Sequence, residues 1–161
     1  MKAKITSFYK PKGYAPQDSV AYMMKRIIAQ LTQHMDKQLE ATELTNAQWI
    51  PLLKIHLGTA TTVAELAKDH QIDVGAMTRL LDRLEKKELC TRTRSEQDRR
   101  VVNLSLTDKG REVALSLAPL VCQVQNASLA GFSEVEWLQL RGFLGRILDN
   151  VSQPLATEEK I

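Results

Sequence analysis

The sequence predicts a mainly α-helical protein with one small β-hairpin. Three observations carry this expectation. Apolar residues recur at steps of three and four through most of the 161 residues, the spacing of one helix face. Only residues 89–106 break that rhythm, with two alternating runs around a polar tip. Aromatic residues are 5% and leucine recurs throughout, which leans toward helices. At 43% hydrophobic and 25% charged residues the chain is ordinary for a folded domain, which excludes wholesale disorder.

The first 18 residues, with Lys2, Lys4, Lys10, Pro11, Lys12, Gly13 and Pro16, form an arm expected to be extended and either packed on a partner or mobile. A helix follows from Ser19 to about Leu39, carrying Val20, Met23, Met24, Ile27, Ile28, Leu31 and Met35 on one face, with Asp18 or Ser19 as its cap. Thr45 opens a second helix, and Gln48 three residues on completes a capping box. Trp49, Leu52, Leu53 and His56 mark its face, Pro51 is tolerable near its start, and Gly58 stops it.

Thr61 or Thr62 caps a short third helix, Val63 to Asp69, with Glu65 at the capping-box position. His70-Gln71-Ile72 makes a tight turn, and Asp73 caps a fourth helix reaching about Lys87. Strands at 89–94 and 101–106 flank the tip 95–100. Thr107 caps a long helix to about Ala127, with a kink or break expected at Pro119. Ser133 caps the last helix, with Glu136 three residues on, and the tail after Gln153 is polar.

Net charge is only +3, but its distribution is uneven. Residues 75–111 hold 10 Lys/Arg against 6 Asp/Glu, while residues 112–161 hold 3 against 6. A local basic zone attracts phosphates even on a nearly neutral chain. Cys90 and Cys122 form no CxxC pair, and no Cys/His cluster has zinc-ligand spacing, so no metal or cofactor is implied and a reduced cytoplasmic setting is the simplest reading. The start lacks the apolar run of a signal peptide, and no stretch approaches a membrane span. His34, His56 and His70 do not group; no Ser/His/Asp arrangement or phosphate-binding glycine loop appears, which argues against an enzyme.

The order short helix, tight turn, amphipathic helix, basic-tipped hairpin is that of a winged helix-turn-helix, whose second helix enters the DNA major groove. In that helix Gly75 and Ala76 remove bulk at the point of approach. Thr78 can bond a base or phosphate, and Arg79 and Arg83 lie one turn apart. Arginine's planar fork suits guanine edges and phosphates alike. Lys86, Arg92 and Arg94 are expected phosphate contacts.

The hairpin is the most specific signal. Asp98-Arg99-Arg100-Val101-Val102-Asn103-Leu104-Ser105-Leu106-Thr107, continued by Asp108-Lys109-Gly110, resembles the Asp-x-Arg-x5-Leu-Thr-x-x-Gly wing signature of the MarR family of bacterial regulators. Thr62–Ala67 and Met77–Lys87 resemble that family's third and recognition helices. The likeness covers about Leu44 to Arg111. It implies an obligate homodimer, with a salt bridge from Asp98 bracing Arg100 and a wing arginine in the minor groove; Arg99 and Arg100 are both candidates. With Thr62 and Asp73, these residues complete the expected DNA-binding set.

The expected organisation is an arm and first dimerisation helix at 1–43, a DNA-binding lobe at 44–107, and C-terminal dimerisation helices and tail at 108–161. The terminal helices carry more apolar surface than one small domain covers, and pairing about a two-fold axis closes it. Residues 1–30 and 111–150 are the expected interface. The expected partners are a pseudo-palindromic double-stranded operator, a second copy of the chain and no membrane. The resemblance further implies a small aromatic or phenolic effector, for which Tyr22, Met24, Arg26, Trp49 and His56 are the candidate ligand residues. Two alternatives stay open: a thiol-based redox regulator of the same fold, and a winged-helix module that binds protein.

Overall fold

The computed structural model describes residues 7–42 and 44–153, so Lys2 and Lys4 of the arm and the polar tail after Gln153 lie outside the described residues. The elements are α1 (Val20–Leu39), α2 (Asn46–His56), α3 (Val63–Asp69), α4 (Val74–Lys86), β1 (Cys90–Arg94), β2 (Val102–Leu106), α5 (Asp108–Ser128) and α6 (Glu134–Ser152), with 3-10 turns at Pro16–Asp18 and Glu40–Thr42. This is the mainly helical winged architecture expected. The backbone groups into two compact units, Met1–Val124 and Gln125–Ile161.

In the first unit the caps explain where helices start. Ser19, rather than Asp18, caps α1: its Oγ accepts from Tyr22 N at 3.1 Å. Gln48 Oε1 accepts the Thr45 N–H at 3.1 Å. Thr62, rather than Thr61, caps α3 by accepting from Glu65 N, and Glu65 Oε2 returns the bond to Thr62 N at 2.9 Å and to Thr61 N at 2.7 Å. Led by the Thr61 N–H, these donors hold the Glu65 carboxyl below the usual carboxylate range.

One core joins the C-terminal half of α1, the helices α2 to α4, the hairpin and α5; Leu39, Leu52, Leu66, Met77, Leu81, Leu84 and Leu117 are fully buried in it. β1 and β2 pair antiparallel, with Cys90 opposite Leu106, Arg92 opposite Leu104 and Arg94 opposite Val102. Leu104 N donates to Thr61 O at 2.8 Å and Asn103 bridges to Thr62, so the hairpin is tied to the start of α3. Leu89 and Val101, expected in the strands, serve the turns instead: Leu89 O accepts from Thr107 N, and Val101 N donates to Asp98 O.

The junction between α4, β1 and α5 explains the Leu-Thr-x-x-Gly run. Thr107 Oγ1 donates to Glu88 O at 2.6 Å and accepts from Gly110 N at 2.9 Å. Gly110 is buried against the Leu89 carbonyl, where a Cβ would lie 1.8 Å from the oxygen. Glu88 takes a left-handed conformation, φ 59°, to make this turn. Of the kink or break expected at Pro119, a break does not occur: α5 is one helix from Asp108 to Ser128. Pro119 is exposed, on the water side, where a carbonyl left unbonded by proline is hydrated.

Apolar side chains remain uncovered in both units. The N-terminal half of α1 exposes Val20, Met23, Ile27 and Ile28. α6 has no buried residue and exposes Leu138, Phe143, Leu144, Leu148 and Val151. Among the described residues no helix is long and apolar enough to cross a membrane.

Candidate nucleic-acid interface

The turn between α3 and α4 is made by backbone bonds from His70 N to Leu66 O and from Ile72 N to Ala67 O, with Gln71 at φ 53°. Asp73 then caps α4, its Oδ1 accepting from Ala76 N at 2.8 Å. α4 buries Met77, Leu80, Leu81 and Leu84, which fixes its rotation in the core. Gly75, Arg79, Arg83 and Lys86 are thereby turned to solvent, while Ala76 and Thr78 are half-buried. A Cβ on Gly75 would sit 3.0 Å from Asp73 Oδ1 and 3.6 Å from the Arg79 guanidinium, so glycine here leaves room for the cap and the arginine together.

Local bonds restrict several of these groups. Thr78 Oγ1 donates to Val74 O at 2.7 Å, which uses its proton and leaves only acceptor capacity. Arg83 Nε donates to Arg79 O at 3.3 Å, leaving the rest of its fork free. Thr62 and Asp73 both act as helix caps.

Two expectations for the wing need correction. Arg92 is not a free phosphate contact: its guanidinium is shared between Asp82 and Glu85 of α4, and its backbone N–H donates to Glu85 Oε1 at 3.0 Å. A cation held by two carboxylates has little charge left for a phosphate. The implied Asp98–Arg100 salt bridge is also not formed. Asp98 Oδ1 instead accepts the Arg100 backbone N–H at 2.9 Å, and Ser95 Oγ accepts from Gln97 N and Asp98 N, so the acid shapes the turn. Among the described residues the guanidinium groups of Arg79, Arg83, Arg94, Arg99 and Arg100 have no carboxylate partner. The outward charge of α4 and the wing is therefore predominantly positive.

Sequence reasoning missed Asp82 and Glu85. Their spacing of three on α4 was a signal, but the partner that unites them comes from across the turn. The candidate effector residues do not converge on a described cavity. Trp49 packs against the core and donates Nε1–H to Asn46 Oδ1 at 3.1 Å. His56 and Met24 are half-buried, whereas Tyr22 and Arg26 are exposed. The cavities at Tyr9–Tyr14, at Arg92 and at Phe132–Trp137 are lined by other residues. Cys90 is buried and Cys122 exposed. Burial, with Glu85 adding to it, pushes the Cys90 thiol up to about 11.

Residues 44–102 match the sequence profile described as MarR family. The chain is 31% identical over 128 residues to the HTH-type transcriptional regulator SarZ of Staphylococcus aureus (strain MRSA252), covering 78% of this chain and 84% of that protein. It is 30% identical over 148 residues to the HTH-type transcriptional repressor MdtR of Bacillus subtilis (strain 168), covering 89% and 88%. Among solved structures, the S. aureus MepR–DNA complex aligns with a TM-score of 0.76 at 26% identity, covering 81% of this chain and 97% of that one.

Proposed function

The chain belongs to the MarR family of transcriptional regulators, and from that premise we propose that it is a cytoplasmic, homodimeric repressor reading a pseudo-palindromic double-stranded operator. The observation that carries this reading is the outer face of α4. Arg79, Arg83 and Lys86 stand exposed opposite a fully buried apolar stripe, and Arg92 ties that helix to a hairpin ending in exposed Arg99 and Arg100. Arginines on the exposed face of a groove-sized helix suit guanine edges and phosphates, and those at a narrow tip suit the electronegative minor groove of A·T steps. That one relative is a repressor and another was solved on DNA supports the same direction.

Dimerisation rests on the uncovered apolar faces of α1 and α6, which a second copy would close. It would set two α4 helices one DNA turn, about 34 Å, apart. Fluorescence anisotropy on duplexes selected from random sequence tests the reading. A dimer-sized complex that prefers an inverted repeat is expected; equal affinity for every duplex would overturn it.

Release by a small aromatic or phenolic acid is the regulatory half of the proposal. A ligand that prefers a lobe spacing unfit for the operator lowers DNA affinity by population shift. A melting shift with a panel of such acids, matched by loss of operator binding, is the expected result. A redox mechanism through Cys90 is disfavoured, because a thiol pushed up to about 11 has almost no thiolate at neutral pH.

A further inference from the structure

The first turn of α4 presents aliphatic surface to solvent. Steps of three and four would count Val74 with Met77 and Leu81 in the buried stripe, yet Val74 is 55% exposed while those two are fully buried. Burial therefore does not account for it, and a β-branched side chain gives a helix less support than alanine would. The side chains beside it have little hydrogen bonding to offer outward. Asp73 Oδ1 is engaged by Ala76 N at 2.8 Å. Thr78, one turn on from Val74, gives its hydroxyl proton to Val74 O at 2.7 Å. Gly75 and Ala76 carry no polar side-chain atom. The first residue of α4 whose side chain can donate outward is Arg79.

Position says what this surface meets. In a helix-turn-helix the N-terminal residues of the second helix lie at the base edges of the major groove. Val74 and Gly75 are the first two residues of α4, and they run without a break into the exposed face of Arg79 and Arg83. A duplex that reaches those arginines therefore reaches Val74. Every base pair shows donors and acceptors in the major groove, and thymine adds a C5 methyl group. An aliphatic side chain set against a polar edge strands groups that water had satisfied, whereas against a methyl it buries apolar area. One exposed valine can thus favour a thymine and disfavour the other bases without a hydrogen bond.

We infer that Val74 is a specificity-determining residue that reads the C5 methyl of a thymine in each operator half-site. The inference rests on the operator reading proposed above and deepens it. Each half-site joins a thymine met by Val74 to the polar contacts made from Arg79 onward.

The test uses the full chain and the duplex obtained by selection from random sequence. Thymines of the two half-sites are replaced in symmetric pairs by 2′-deoxyuridine, which removes the methyl and keeps the base pairing. Anisotropy titrations compare the wild type with Val74→Ala, a change that raises helix propensity and leaves the core untouched. At one thymine position the wild type is expected to lose about tenfold in affinity, the worth of one methyl contact in each half-site. Val74→Ala is expected to bind the unmodified duplex about tenfold more weakly and to lose nothing further at that position. Its salt slope should match the wild type's, because no charge is removed. A wild type that binds every duplex equally overturns the operator reading and the role of Val74 together. A wild type that selects one duplex but is indifferent to deoxyuridine at every position overturns the role of Val74 alone. So does a deoxyuridine penalty as large in Val74→Ala as in the wild type.

Discussion

Arg92 on β1 is closed onto Glu85 on α4: its Nε donates to Glu85 Oε2 at 2.9 Å, and its backbone N–H donates to the other carboxylate oxygen at 3.0 Å. Asp82, one turn earlier, accepts from Arg92 Nη2, which is shared with Glu85. α4 and the wing are thus joined by a side chain whose charge is met within the protein.

Removing that side chain would leave two carboxylates unpaired next to the surface proposed to meet phosphates. Arg92→Ala is expected to weaken operator binding by at least tenfold while costing only about 1 kcal/mol of stability, because the pair is partly solvated. Glu85→Gln in the same background should restore part of the affinity. Anisotropy titrations paired with urea melts separate the two effects; equal losses in both would make Arg92 merely structural.

The wing tip leaves Arg99 and Arg100 exposed and, among the described residues, unpaired by carboxylates. Replacing Arg100 by Ala should cost about 1–3 kcal/mol of binding, a tenfold to hundredfold loss, with the dimer intact. Asp98→Ala should act more weakly, since it loosens the turn without removing a cation. Gel shifts on the selected operator read both, and an unchanged affinity for Arg100→Ala excludes it from the interface.

Gly110 and Glu88 face each other across one turn with opposite backbone demands. A Cβ at Gly110 would meet the Leu89 oxygen at 1.8 Å, so Gly110→Ala must shift α5 or the strand and is expected to cost about 3 kcal/mol. Glu88 at φ 59° is the converse case. Glu88→Gly should stabilise by about 0.5–1 kcal/mol by removing left-handed strain. Urea midpoints at constant slope give both signs.

The Cys90 thiol is buried at the start of β1 with its pKa at about 11. It should resist iodoacetamide at pH 8 in the folded protein and react fully in denaturant. The wild type and Cys90→Ser are both expected to bind operator equally well after peroxide treatment. Peptide mass mapping checks the first expectation and anisotropy the second.

Much of this molecule was legible in its sequence because the signals were local. Caps at Asp73 and Ser133, the pairs Asp18/Ser19 and Thr61/Thr62, and the apolar periodicity of α4 place the helices within a residue or two. The alternating runs around 95–100 place the hairpin. What escaped depends on residues distant in sequence or on competing backbone bonds. Arg92 looks like any other strand arginine until β1 folds beside Asp82 and Glu85. Asp98 satisfies a backbone N–H sooner than a flexible guanidinium, because that donor is fixed two residues away. Pro119 alone signals a kink or break, but the buried Ala114, Leu117 and Val121 hold α5 continuous through it.

The central claim is that the positive groups of α4 and the wing act on one duplex. Its most direct measurement is the salt dependence of operator affinity for the wild type and for the Arg79→Ala/Arg83→Ala/Arg100→Ala variant. For the wild type, log affinity should fall linearly with log salt as counterions are released. The variant should show a shallower slope and lose its preference for operator over random duplex. A wild type indifferent to salt, or a variant that still discriminates the operator as well as the wild type does, would contradict the account.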